Sequence, residues 1–356
     1  MALSYGSFAE ESKATMTMKA VLVGCGAMSQ TWLDAVAQID GLGIVGLADL
    51  DLSRAATVAS RHGLTDVAVA PDLGELLAQT RPDIVFDLVV PAARHAVVST
   101  ALAAGCHVLS EKPMAETLEQ ARDLNAQAAT ANRVHAVVQN RRYLPSVRRI
   151  AAAVASGVLG EITSVHADFF LAPHFGGFRE EMAHVLLMDM AIHAFDALRC
   201  MTGLPARNVY CREWDPRNSW YHQGSSAVAI FELGNGALFT YRGSWCAAGV
   251  GTSWECAWRL VGTRGTLTWD GHDQLRAETT TAGRSGLFDE VVAVPLEKID
   301  PAGRIGGHLG VLQDFVSAVR GGPAPETRGT DNIQSLAMTL GAIASARAGK
   351  QIDIAI

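Results

Sequence analysis

No Cys-x-x-Cys pair occurs in this 356-residue chain, and its six cysteines (Cys25, Cys106, Cys200, Cys211, Cys246 and Cys256) are scattered through mostly apolar stretches. That pattern gives neither a zinc site nor a disulfide framework, so free, buried thiols in a reducing compartment are expected, with no metal. No apolar run is long enough to span a bilayer. Long basic runs are missing too: the densest cluster is Arg141-Arg142 followed by Arg148-Arg149, and the formal net charge is -7. A duplex-binding face needs clustered Lys and Arg, so nucleic acid is excluded as a partner. Charged residues make up only 18% against 49% hydrophobic, which excludes disorder and leaves apolar surface for two cores. Residues 1–17 carry Glu10, Glu11 and Lys13 but no apolar core, unlike a secretory or twin-arginine leader. They read as a flexible extension of a cytoplasmic protein.

From Lys19 the pattern alternates short apolar runs with helical stretches. Strands are expected at 20–23, 42–48, near Val67, and at 83–90, 107–109 and 132–138. Helices are expected at 32–39, 55–62, 72–79, 95–104 and 117–131. The run Ile84-Val85-Phe86-Asp87-Leu88-Val89-Val90 suits a parallel strand covered on both faces. Residues 18–138 therefore read as a doubly wound α/β domain. After Gln139, extended segments with Gly-rich turns dominate (162–171, 208–213, 226–232, 237–245, 254–261 and 266–269). Helices are expected at 147–155, 180–201, 309–320 and 331–348. Residues 139–356 read as an α+β domain, an antiparallel sheet with helices on one side.

Strand 20–23 runs into Gly24-Cys25-Gly26-Ala27-Met28-Ser29 and then a helix. Two glycines allow a tight turn whose N–H groups approach a pyrophosphate at the helix N-terminus. Ser29 stands where a third Gly or Ala is usual. Asp49 ends the next strand at the spacing for a ribose diol, which favours NAD over NADP; as an alternative it is a helix cap. Arg54 nearby is able to pair with a 2′-phosphate.

Glu111-Lys112-Pro113 follows the strand 107–109, at the strand end where ligands bind in open α/β sheets. Burial that lowers a lysine from about 10.4 toward neutrality would let Lys112 exchange a proton with a substrate oxygen; an exposed Glu–Lys pair is the alternative. On the stretch 180–201, Asp189 and His193 lie four residues apart on one face among apolar neighbours. Buried, both need partners, either nearby backbone or the hydroxyl groups of a ligand in a cleft.

Together, Glu111-Lys112-Pro113, Asp189-x-x-x-His193, Gln139-Asn140-Arg141-Arg142-Tyr143-x-Pro145 and the closing stretch from His308 through Phe315 to Gly349 resemble the Gfo/Idh/MocA oxidoreductases. The resemblance covers nearly everything after Thr17. It implies a Rossmann domain, then an open, mainly antiparallel sheet domain through which homodimers or homotetramers form. It also implies hydride transfer between a nicotinamide and a hydroxyl-bearing carbon of a sugar, cyclitol or related compound. Lys112 falls on the family's acid/base, and Asp189 and His193 on its substrate-hydroxyl ligands. Pro91 and His95 match a loop bordering the cofactor, Arg142 an arginine near cofactor or substrate, and Glu111 and Asn140 adjoin them. The loop 172–179, with His174 and Arg179, departs from the pattern where substrate belongs, so both are candidate substrate ligands; a subunit contact is the alternative. An NAD-dependent glycosidase and a cofactor-sensing regulator are competing readings on the same fold.

Overall fold

Strand and helix alternate from β1 (Met18–Val23) through α1 (Met28–Val36), β2 (Leu42–Ala48), α2 (Leu52–Arg61), β3 (Ala68–Ala70) and α3 (Leu73–Thr80). They continue through β4 (Ile84–Asp87), α4 (Pro91–Ala103), β5 (His107–Ser110), α5 (Leu118–Thr130) and β6 (His135–Val137). This computed structural model describes residues 18–296 and 305–356, so the extension expected at 1–17 lies outside the described residues. The six strands form one parallel sheet in the order β3-β2-β1-β4-β5-β6. That is the doubly wound order, with its switch point between β1 and β4. Successive residues of a strand face opposite sides: Ala20, Leu22, Ile84 and Phe86 join one apolar cluster, while Val21, Val23 and Val85 join another. The helix starts are marked locally, since Asp51, Asp72 and Thr117 accept hydrogen bonds from first-turn N–H groups of α2, α3 and α5.

A 3-10 turn (Asn140–Tyr143) and α6 (Pro145–Ala155) lead into the second sheet. Its strands are β7 (Ile162–Phe170), β8 (Ala206–Trp214), β9 (Ser226–Leu233), β10 (Leu238–Ser244), β11 (Ala257–Gly262), β12 (Gly265–Trp269), β13 (Leu275–Ser285), β14 (Phe288–Ala293) and β15 (Ile352–Asp353). They run in the order β14-β13-β12-β11-β7-β10-β9-β8-β15, antiparallel except for β7 beside β10. The hairpin β13–β14 was not legible in the sequence because β14 is exposed throughout and lacks an apolar alternation. The N-terminal parallel sheet and the mainly antiparallel second sheet match the expected fold class.

The helix expected over 180–201 is interrupted. It consists of α7 (Phe178–Glu181), a break, a π-helical turn (Leu186–Ala191) and α8 (Ile192–Thr202). His184 makes the break: its φ is +55°, outside the helical region. Its ring holds that conformation, with Nδ1 2.5 Å from Glu213 Oε2 and Nε2 2.8 Å from Arg347 Nη2. The N–H groups of Val185 and Leu186 donate to the carbonyls of Gln223 and Gly224.

Two further helices close the chain, α9 (His308–Val319) and α10 (Gly329–Ala348). α9 returns to the first sheet, adding Val311, Leu312, Phe315 and Val316 to the cluster around Trp32 and Leu33. α10 packs Ile333 and Leu336 against Met114, Ala121 and Val137 of the first half and ties into a buried ionic network within the second. Arg142 donates to Asp196 from Nε (2.7 Å) and Nη2 (2.8 Å), and Nη2 also donates to Asp331 (2.6 Å). Arg199 donates to Asp331 at 2.7 Å and to Ser335 at 2.8 Å, while Ser335 donates to Asp196 at 2.7 Å. No helix among the described residues is long and apolar enough to cross a membrane.

Removing one partner from such a network strands a buried charge. Asp196→Ala is expected to lower unfolding stability by about 3–5 kcal/mol in urea titration; a loss below about 1 kcal/mol would show the network to be energetically idle. A second expectation concerns pH. Burial, with a smaller contribution from the charge of Arg94, pushes His135 on β6 down to about 4. The unfolded chain therefore takes up a proton near pH 6.5 that the folded chain refuses until near pH 4. Stability is full above pH 6.5 and falls between these values, by about 2 kcal/mol at pH 5 from this residue. His135→Asn should flatten the profile between pH 7 and 5; an unchanged slope would contradict it.

Candidate active site

A cavity of about 610 Å³ opens where β1, β4 and β5 end and faces the π-helical turn of the second domain. Gly24, Gly26, Ala27, Met28 and Arg54 line it near the first turn, Val89 to Pro91 after β4, and Glu111 and Lys112 after β5. From the other side come Asn140, Arg141, Arg179, Asp189 and His193, with Phe175, Phe178, Trp245, Trp254 and His308.

The first turn is shaped for close backbone approach. Gly24 has φ +96°, and a Cβ there would lie 2.8 Å from the Leu88 carbonyl carbon. A Cβ on Gly26 would meet nothing within 4 Å, so the space above it is open beside the start of α1. Asp49 braces the same loop: it accepts from Cys25 N (2.8 Å) and Asp51 N (2.9 Å), with Arg54 3.6 Å away. Ser29 tucks under the turn, buried, with Oγ donating to Gly26 O at 2.7 Å. Open glycine backbone, a helix N-terminus and an acidic residue after β2 fit a dinucleotide.

Beneath the cavity Arg94 is buried and pairs with the buried Asp87 at 2.9 Å. It also donates to Pro113 O at 2.6 Å and to Val89 O, locking the loops after β4 and β5 together. Glu111 turns back toward the first domain. It accepts from Trp32 Nε1 (2.8 Å) and the Lys112 N–H (3.1 Å), with His308 Nε2 at 3.8 Å. Burial alone would raise its carboxyl; the nearby His308 and the hydrogen bond from Trp32 outweigh that and hold it below the ordinary value.

Lys112 reaches across to the second domain. Its Nζ donates to the Asp189 carbonyl at 2.6 Å and to Asp189 Oδ1 at 2.8 Å. The other carboxylate oxygen accepts from Arg179 Nε at 3.1 Å. Burial acts to raise the Asp189 carboxyl, but the charges of Lys112 and Arg179 prevail and hold it below the usual range. His193, one turn on, is held well below its ordinary value, first by burial and then by the charges of Lys112, Arg141 and His308. Its Nδ1 has no hydrogen-bond partner among the described residues. At neutral pH His193 is thus an uncharged imidazole beside a charged, three-membered ion pair. A proton donor and a proton acceptor stand within one cavity.

Several expected site residues lie elsewhere. Arg142 is spent in the buried network with Asp196 and Asp331, and its neighbour Arg141 faces the cavity instead, 2.9 Å from Glu255. Consecutive residues of a tight turn point in different directions, so the doublet could not be resolved from sequence. His95 sits away from the cavity on α4, 2.6 Å from Asp123. His174 stacks on Trp220 with centroids 3.8 Å apart and is not among the lining residues, nor is Asp49. His308 and the tryptophans of loops 245–254 had no periodic signal to mark them as lining.

Two family models cover most of the chain. The oxidoreductase family with an NAD-binding Rossmann fold matches residues 18–139, and the GFO/IDH/MocA C-terminal domain matches 147–268. D-apiose dehydrogenase of Paraburkholderia graminis is 25% identical, over 94% of this chain and 89% of that protein. 1,5-Anhydro-D-fructose reductase of Ensifer adhaerens is 24% identical, over 94% and 97%. A crystal structure of an Agrobacterium radiobacter oxidoreductase, solved with NAD+, L-tartaric acid and magnesium, superposes with a TM-score of 0.82 at 22% identity, covering 95% of this chain and 98% of that one. With its Rossmann sheet, its second open sheet and both matched models, this chain belongs to the Gfo/Idh/MocA family of NAD-binding oxidoreductases.

Proposed function

We propose that the protein interconverts a carbinol and a carbonyl on a sugar, cyclitol or sugar derivative, with NAD preferred over NADP and Lys112 as the principal acid/base. The observation that carries this is the lysine of the β5 loop, held by Asp189 across the cleft beside the uncharged His193. Relatives named as D-apiose dehydrogenase and 1,5-anhydro-D-fructose reductase support the carbohydrate class. Asp49, beside the open Gly26 turn, supports NAD, since a carboxylate there repels a 2′-phosphate.

When bound, NAD supplies the acceptor or donor for the hydride at the carbinol carbon. The remaining work falls to the chain. An ammonium has three N–H donors; Asp189 takes two of those of Lys112 through its carbonyl and carboxylate, which leaves one for the substrate oxygen. In the reducing direction that N–H gives its proton to the oxygen. In the oxidising direction the proton leaves the hydroxyl for the same nitrogen in its neutral amine form, and the uncharged ring of His193 is the second acceptor lining the cavity. Asp189 keeps the lysine aimed, and Asn140, Arg141 and His308 close the wall around the reacting carbon. The exposed face of the second sheet, around Asp168, Ile230, Thr240 and Arg242, is assigned to self-association as a homodimer or homotetramer.

Lys112→Met retains the stem and removes the amine. It should lower kcat by about 10²–10⁴-fold while NAD binding, read by fluorescence titration, stays intact. His193→Asn should cost less in kcat and raise KM for the carbohydrate. Near-normal kcat in Lys112→Met, with turnover abolished in His193→Asn, would reverse the two roles.

A further inference from the structure

The outer part of the same cavity differs in character from its catalytic floor. Phe175, Phe178 and Trp254 line it while remaining 40%, 54% and 47% exposed. Trp245 backs them, nearly fully buried, and its indole N–H has no partner among the described residues. Three of the rings form one connected wall: Phe175 to Trp245 is 5.4 Å between centroids, Phe175 to Trp254 is 6.2 Å, and Trp245 to Trp254 is 5.6 Å; Phe178 joins them through Arg179. An apolar patch of this kind inside a polar-floored cleft marks a ligand surface.

Each charged side chain of the wall has an opposite charge beside it. Arg179 lies over Phe175 at 5.1 Å and Phe178 at 5.0 Å while its Nε donates to Asp189. Arg141 is paired with Glu255, Lys112 with Asp189, and Arg54 with Asp49. An uncharged apolar ring laid on these half-exposed faces has only water to displace. The aromatic wall begins one guanidinium beyond Asp189.

We propose that this wall is a subsite for an uncharged, apolar ring carried by the substrate, so that the preferred carbohydrate is a glycoside with an aromatic or similarly apolar aglycone. The proposal rests on the reading of the cavity as a carbohydrate site. Phe178 and Trp254 are its specificity-determining residues, since both line the cleft and expose the most ring area to it.

The test measures binding and turnover separately, on the full chain loaded with NAD. Methyl and phenyl glycosides of glucose, galactose and xylose are titrated by calorimetry, and NADH formation is followed with the same compounds. For at least one sugar, Kd for the phenyl glycoside should be about tenfold or more below that of its methyl partner. Phe178→Ala and Trp254→Ala should each remove most of that difference and leave methyl glycoside Kd within about threefold. Equal affinity within every pair, no detectable phenyl glycoside binding, or a preference untouched by either substitution would overturn the subsite. A retained phenyl preference with no NADH formed would leave the subsite standing and count against the dehydrogenase reading. Phe178→Leu guards against misfolding: it should keep folding and NAD affinity while losing part of the preference.

Discussion

One carboxylate holds the two halves of the molecule in working relation. Asp189 comes from the second domain, Lys112 from the loop after β5 of the first, and Arg179 from the segment that shapes the cavity mouth. A single negative charge between two positive ones, largely shielded from solvent, is screened less than a surface pair, and its geometry must be kept for the desolvation cost to be offset. Almost everything around it is arranged to hold those three side chains in place. Arg94 ties the β4 and β5 loops together beneath Lys112, Glu111 fixes the lysine's backbone N–H, and the network of Arg142, Asp196, Arg199 and Asp331 anchors α8 behind His193.

The break before Asp189 belongs to the same arrangement. A helix continuous from Phe178 to Thr202 would carry Arg179 and Asp189 on one rigid rod. Instead His184, locked in a left-handed conformation by Glu213 and Arg347, turns the chain so that Arg179 folds back onto Asp189. The π-helical turn that follows re-aims the residues between Leu186 and Ala191, a local irregularity of the kind often found at functional sites. The side effect is electrostatic. With Lys112, Arg141 and His308 all bearing on a buried ring, His193 stays uncharged where an exposed histidine would begin to protonate.

Much of this was legible in the sequence, and the limits have physical causes. The parallel strands could be read because burial on both faces demands unbroken apolar runs such as 84–90, and the first turn because only glycines admit the backbone at Gly24. Lys112, Asp189 and His193 stood out as polar residues in apolar or strand-end settings, and the fold brings all three to one cavity. The helical break was hidden because His184-Val185-Leu186-Leu187 continues a helical apolar pattern; the residues that overrule it, Glu213, Gln223 and Arg347, are distant in sequence. The choice between Arg141 and Arg142 was hidden for a similar reason, since it depends on which carboxylate, Glu255 or Asp196, each one meets. The aromatic wall is assembled from loops and the single turn of α7, too short for a period of two or of 3.6 to show.

If the Lys112–Asp189 contact is the unit on which catalysis turns, the two residues must act together. A double-mutant cycle on kcat/KM with the best carbohydrate substrate, using Lys112→Met, Asp189→Asn and the pair, measures this directly. The predicted result is strong non-additivity: each single substitution costs most of the activity, and the double variant is no worse than the poorer single one. Independent, multiplying losses would contradict the account, because they would mean that lysine and carboxylate serve separate steps.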